Sequence, residues 1–231
     1  VFDVIAFDAD DTLWHTECHF LEVQERFREL LRPFAPDTAI QACLHTAIIR
    51  NIEPFGYGIK SFVLSMIEAA VELSTGRIPG SQVQRIVDFG HEMRARPVEP
   101  LPGVTEVLAS LAGRRLMVVT KGDLLDQEDK LARSGLGHRF WRLEVLSEKD
   151  EAAYRGVLQR CGAAPERFLM VGNSVRSDVL PVLALGGHAV HVPYPITWAH
   201  ERVEGVSGAT HGYAELDDLR ELPAWLACRE A

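Results

Sequence analysis

Val4-Ile5-Ala6-Phe7-Asp8-Ala9-Asp10-Asp11-Thr12 carries the architecture of this chain, because an apolar run of strand length ends abruptly in a cluster of carboxylates. An unbroken apolar run reads as a strand covered on both faces, as a parallel sheet requires. Side chains two apart on extended backbone point the same way. Asp8 and Asp10 therefore face one site while the small Ala9 turns aside. Two carboxylates held close do not both ionise cheaply, since their repulsion raises one pKa unless a cation intervenes. The pair offers two chemically different groups, an ionised nucleophile or metal ligand and a proton donor. The plainer reading of the same residues is a polar turn into a helix, with Asp or Thr as its N-cap.

Working outward, the apolar spacing is helical from about Trp14 to Met93. Phe20, Val23, Phe27, Leu30 and Leu31 line a first helix closed by Pro33 and Pro36, and Ile40, Leu44, Ala47 and Ile48 a second. Phe62, Val63, Met66, Ile67, Ala70 and Val71 mark a third that ends near Gly76, and Val83, Ile86, Val87 and Met93 a fourth. After the proline-rich segment 97–103 the pattern changes to alternating helices and short apolar strands. Helices are expected over 104–111, 124–133, 151–160 and 179–185, with strands over 116–120, 168–171 and 189–192 and an apolar stretch at 140–146. The prediction is an α/β fold: a doubly wound, parallel-sheet, Rossmann-like core from residues 1–13 and 100–231, interrupted by an inserted α-helical domain over 14–99.

A chain of 231 residues holds one sizeable core, or a core with a small inserted domain. With 47% hydrophobic and 25% charged residues it reads as an ordinary soluble globular protein and not a disordered one. A net charge of −9 argues against broad capture of a nucleic acid polymer or an anionic membrane. A small phosphate ester is still acceptable, because a local metal ion reverses the field. Cys18, Cys43, Cys161 and Cys228 are widely spaced, form no C-x-x-C pair and are expected to stay reduced. No signal peptide and no apolar stretch of about 18 residues is evident, so a cytoplasmic location is the expectation.

Three further segments fall in order behind the first. Thr120 ends the apolar run Leu116-Met117-Val118-Val119; Lys149 lies in the charge-rich Ser147-Glu148-Lys149-Asp150-Glu151; and Gly172-Asn173-Ser174-Val175-Arg176-Ser177-Asp178 follows a strand. Together with Asp8, Asp10 and Thr12 these resemble the four motifs of the haloacid dehalogenase-like hydrolase superfamily, and the layout is similar to its phosphatases with a helical cap inserted after the first motif. One departure stands out: Asn173 takes the place of a usual Asp.

The resemblance implies a Mg²⁺-dependent phosphatase acting on a small soluble phosphomonoester. It makes Asp8 the nucleophile that forms an aspartyl-phosphate and Asp10 the group that protonates the leaving oxygen and then deprotonates water. It gives the Mg²⁺ to Asp8, the Asp10 backbone carbonyl and the loop of Asn173 and Asp178. Thr120 would bind phosphate oxygens and Lys149 would neutralise the carboxylates. Lys121 is the competing cation, Lys149 has the plainer reading of a solvated helix start, and Asp178 that of a cap for the helix beginning at Val179.

Substrate contacts are expected from the insertion. Candidates are Trp14, His15 and Glu17 beside the first motif, and Arg50, Tyr57 and Lys60 in a turn over 50–60 where Gly56 and Gly58 permit tight backbone. Their plainer role is to fill and solvate the helical domain. Trp198 and His200 form another loop of open purpose, and the chain carries no G-x-S-x-G, H-E-x-x-H or Walker pattern. His188 and His191 should not chelate one ion. The alternatives are a haloacid dehalogenase, a phosphonatase or mutase, or a catalytically weak binding member of the fold, which Asn173 keeps open.

Overall fold

The computed structural model describes residues 1–196, 198, 201, 203 and 210–230; His200 lies outside them. Its contacts divide the chain into two compact units, Val1–Glu17 with Val98–Lys121 and Gln127–Ala231, and Cys18–Pro97 with Gly122–Asp126.

Among the described residues the first unit holds a six-stranded sheet in the order β3-β2-β1-β4-β5-β6, with every pairing parallel. The strands are β1 (Val4–Phe7), β2 (Leu116–Lys121), β3 (Arg142–Leu146), β4 (Phe168–Gly172), β5 (His188–His191) and β6 (Tyr213–Glu215). β1 is buried throughout. Its alternate residues feed two cores, as extended geometry dictates. Ile5 and Phe7 join Leu116, Val118, Leu169 and Val171 against α5 (Val104–Ser110) and α9 (Leu222–Glu230). Val4 and Ala6 join Met117, Val119 and Met170 against α7 (Glu151–Cys161) and Val182 of α8 (Leu180–Ala184). Burying Phe7 or Leu108 in this way contributes about 1.5–3 kcal/mol each.

Because β1 pairs with β2 on one side and β4 on the other, Phe7 is level with both Val118 and Val171. The carboxyl ends of the three strands are therefore side by side where the strand order reverses, which is where open α/β sheets bind ligands. Asp8, Thr120 and Asn173 start from that edge. α6 (Leu124–Arg133) follows β2.

The second unit holds α1 (Glu17–Leu31), apart from its first residue, with α2 (Asp37–Phe55), α3 (Ile59–Leu73) and α4 (Gly80–Ala95). Its core is Val23, Phe27 and Leu31 with Ile40, Leu44, Ala47, Phe62, Met66, Ile86 and Phe89. The 3.6-residue period of the apolar positions makes these helices amphipathic and gives them one shared interior.

Candidate active site

Past Phe7 the chain leaves the sheet through a tight turn in which Asp11 takes a left-handed conformation (φ 63°), one that Asp tolerates better than most residues. The Asp11 carboxylate accepts the backbone N–H groups of Thr16 and Glu17 at 2.8 and 3.0 Å and so ties off the start of α1. Burial pushes Asp11 up to about 7 and, with Asp11 beside it, Glu17 up to about 8.

The nearly buried Asp8 carboxylate accepts a hydrogen bond from Lys149 Nζ at 2.5 Å, and the same ammonium donates to Asp178 Oδ1 at 2.6 Å. Lys149 is 3% exposed, so the solvated-surface reading of its segment fails. Asp150 caps α7 by accepting the Ala153 N–H, which fixes the backbone just after Lys149. Two carboxylates share one cation here. Burial pushes Asp8 up to about 7, opposed by Lys149 and assisted by Asp178. Burial would lower Lys149, but Asp178 and Asp8 outweigh it and hold the ammonium above its ordinary value.

Asp178 does not cap the following helix. Its Oδ2 turns back to accept the Ser174 N–H at 3.0 Å, and α8 has no side-chain cap. The loop instead closes as a single π-helical turn, Val175–Val179, with Ser174 accepting the Ser177 N–H. Gly172 is required here: a Cβ on it would lie 2.2 Å from Asp178 Oδ2.

Asn173 Oδ1 and Asp8 Oδ2 both face the Thr12 hydroxyl, at 3.3 and 3.5 Å. One hydroxyl proton serves only one acceptor well. Two hard oxygens thus converge beside a carboxylate pair that shares the Lys149 ammonium, a donor set that suits Mg²⁺. Among the described residues no group of three or more His, Cys, Asp or Glu is placed to hold a metal, so amide and backbone oxygens would complete the set. Thr120 is 1% exposed, and its hydroxyl reaches the Lys121 carbonyl only at 3.5 Å. Lys121 turns away to Glu201 at 2.5 Å and Ser177 at 3.0 Å.

Asp10 is held by a set of groups that the sequence reading missed. Its carboxylate accepts from Trp14 Nε1, Thr16 Oγ1, Gln127 Nε2 and Lys130 Nζ, all within 2.8 Å. Burial acts to raise its pKa, yet Lys130 and the hydrogen bonds hold it below the ordinary carboxylate value.

The family model for haloacid dehalogenase-like hydrolases matches residues 2–186. The chain belongs to that family. A haloacid dehalogenase-like family hydrolase from Xanthomonas campestris shares 38% identity and superposes with a TM-score of 0.88, over 98% of this chain and 91% of that one. Two curated relatives are phosphatases. The glyceraldehyde 3-phosphate phosphatase of Methanothermobacter thermautotrophicus is 28% identical over 84% of this chain and 87% of its own. The phosphoserine phosphatase of Thermus thermophilus is 27% identical over 76% of each chain. This haloacid dehalogenase-like hydrolase is thus an enzyme whose curated relatives act on small phosphate esters.

The α/β unit brings Asp8, Asp10, Thr120, Lys149, Asn173 and Asp178 to the enzyme's strand ends, whereas three of the expected substrate contacts lie in the helical unit. Arg50 is not in a turn: α2 continues to Phe55 with Pro54 in its last turn, and Arg50 pairs with Glu68 at 2.8 Å. Lys60, in the first turn of α3, pairs with Asp123 at 2.8 Å, and Tyr57 is half-buried between the two helices. Trp14, read as a substrate contact, is a core residue at 1% exposure whose indole N–H is used on Asp10. Its bulk is better satisfied inside the sheet's core, where it packs with Leu13 and Leu108. His15 Nδ1 is 2.7 Å from the Tyr194 hydroxyl.

Proposed function

We propose that the enzyme is a Mg²⁺-dependent phosphatase that hydrolyses a small soluble phosphomonoester through a phosphorylated Asp8. The observation that carries the reading is the placement of two carboxylates in one turn at the strand ends, Asp8 on the buried Lys149 at 2.5 Å and Asp10 in its own set of donors. Mg²⁺ held at Asp8 would keep that carboxylate ionised as the nucleophile. A phosphate ester needs both a nucleophile and a proton for its leaving oxygen. A halide leaves without a proton, so a dehalogenase would have no use for Asp10. The phosphatases among the curated relatives support the same choice.

In this reading an Asp8 oxygen attacks phosphorus while Asp10 gives its proton to the departing alkoxide. Water then attacks the phosphorus of the aspartyl-phosphate, and Asp10 takes up its proton. The Thr120 hydroxyl and the backbone N–H after it receive the non-bridging oxygens. Lys149 balances the charge of Asp8 and of the phosphoryl group. Asp8, the Asp10 carbonyl and Asn173 would hold Mg²⁺, with Asp178 contributing its charge from behind Lys149. Bound there, Mg²⁺ supplies positive charge to the clustered carboxylates and phosphate.

The substrate class we assign is a small phosphorylated metabolite such as a three-carbon ester, by analogy with the glyceraldehyde 3-phosphate and phosphoserine phosphatases. A cytoplasmic setting belongs to the same reading; it rests on the cysteines, which stand as free thiols. We also assign the choice among esters to the helical unit, with Tyr57 and Lys60 as its candidate residues, so their replacement should reorder substrate preference while sparing p-nitrophenyl phosphate.

The test is phosphate release from a panel of phosphorylated metabolites with and without Mg²⁺. Release that requires Mg²⁺ and disappears in Asp8→Asn is expected. Halide release from a 2-haloacid without metal, or no phosphate release from any ester, would overturn the reading.

A further inference from the structure

Five hydrogen bonds from four side chains converge on Asp10: Trp14 and Thr16 donate to Oδ1 at 2.8 and 2.7 Å, Gln127 to Oδ2 at 2.8 Å, and Lys130 to both oxygens at 2.7 and 3.0 Å. Trp14 and Thr16 are local, but Gln127 and Lys130 are brought from α6, 117 and 120 residues away. They stand three apart, hence on one helix face. Gln127 is 3% exposed and its Oε1 is buried with no hydrogen-bond partner among the described residues. Glutamine is seldom buried so fully, and an unsatisfied buried amide oxygen is costly. The fold carries that cost to bring one N–H group to Asp10.

We propose that Lys130 and Gln127 are positioning residues that act through Asp10 by holding its carboxylate in the one orientation in which it serves as the base of the second step. This rests on the acid–base role given to Asp10 above. In the first step Asp8 forms its bond to phosphorus as the ester P–O bond breaks, and the departing oxygen takes the proton from the Asp10 O–H. The carboxylate left behind is the species that two N–H donors on Oδ2, one of them a cation that also reaches Oδ1, are built to receive. Held there in one orientation, it would serve as the base for the water of the second step. Water oxygen then bonds to phosphorus, the Asp8–phosphorus bond breaks, and the water proton returns to Asp10. A carboxylate free to turn would lose that direction, and misplacement of a base is costly even when its chemistry is intact.

The two steps separate with p-nitrophenyl phosphate, whose nitrophenolate departs without a proton. Lys130→Met should keep the initial burst of nitrophenolate, slow the steady rate by about tenfold, and accumulate phosphorylated enzyme. Gln127→Ala should do the same to a smaller degree, and it carries the test if Lys130→Met does not fold. Lys130→Arg should restore most of the steady rate. In an Asp10→Asn background Lys130→Met should change nothing further, because its effect passes through that carboxylate. Equal slowing of burst and steady phases, or no slowing of either, would overturn the proposal. Asp10→Asn alone separates the two ideas: if it shows no split between phases, the acid–base role falls and this inference with it. If it shows the split and neither Lys130→Met nor Gln127→Ala does, this inference alone falls.

Discussion

Asp8 and Lys149 meet at 2.5 Å across 141 residues of sequence, and the first prediction belongs to that pair. Asp8→Asn keeps size and most packing but loses the nucleophile, so turnover should fall by about a thousandfold or more while the urea-unfolding midpoint changes little. A second concerns Glu201, which accepts from Lys121, Ser174 and Ser177. Burial acts to raise its pKa, yet Lys121 and those hydrogen bonds lower it to about 2. A carboxylate lowered in the folded state stabilises above its unfolded pKa and loses that contribution as pH falls through the folded one. The stability advantage over Glu201→Gln should therefore be full at neutral pH and vanish between about pH 4.5 and about pH 2. An advantage independent of pH in urea titrations would show that the ion pair is not its source. At this scale the carboxylates were legible because Asp8 and Asp10 follow an apolar strand. Gln127 and Lys130 were not, since Asp126-Gln127-Glu128-Asp129-Lys130 reads as a solvated helix face and sequence carries no sign of a partner 120 residues away. Trp14 was misread for a related reason, because only the fold reveals that its indole N–H has a buried acceptor.

Among the elements, β4 and the loop behind it depend on a missing side chain. Gly172→Ala would press a methyl group onto the Asp178 carboxylate, with contacts of 2.2 and 2.4 Å to Oδ2 and Cγ. Overpacking of this kind costs about 1–3 kcal/mol. The variant should unfold at lower urea and lose activity together, because the displaced Asp178 also releases Lys149. Unchanged stability and activity would mean that the loop shifts freely and is not a rigid support for Lys149. The periodic elements were readable in advance: α6 runs over Leu124–Arg133 as its spacing implies, and the strands after Pro100 fall where apolar runs do. Irregular elements were not. The π-helical turn Val175–Val179 fills the loop ahead of α8, which itself runs over Leu180–Ala184 inside the expected 179–185, and Tyr213–Glu215 is too short a strand to show alternation. α2 passes the position where a turn was expected because Pro54, in the last turn, removes only one N–H bond.

For the whole molecule, a chain of net charge −9 handles a charged phosphate ester only if positive charge is concentrated at the strand ends. Lys149 supplies one such charge, and in our reading Mg²⁺ supplies the rest. Asn173 makes that demand measurable. Its amide oxygen is a neutral ligand, so Asn173→Asp should tighten Mg²⁺ binding about tenfold by calorimetry, and an unchanged affinity would place the metal away from that loop. The central claim is that phosphoryl transfer passes through Asp8. The direct measurement is to quench the enzyme in acid during turnover of a phosphomonoester with Mg²⁺, reduce it with borohydride and map the product, since an acyl phosphate on aspartate is reduced to homoserine. The account predicts homoserine at position 8; an enzyme that turns over yet carries no modified residue, or one modified elsewhere, would contradict it.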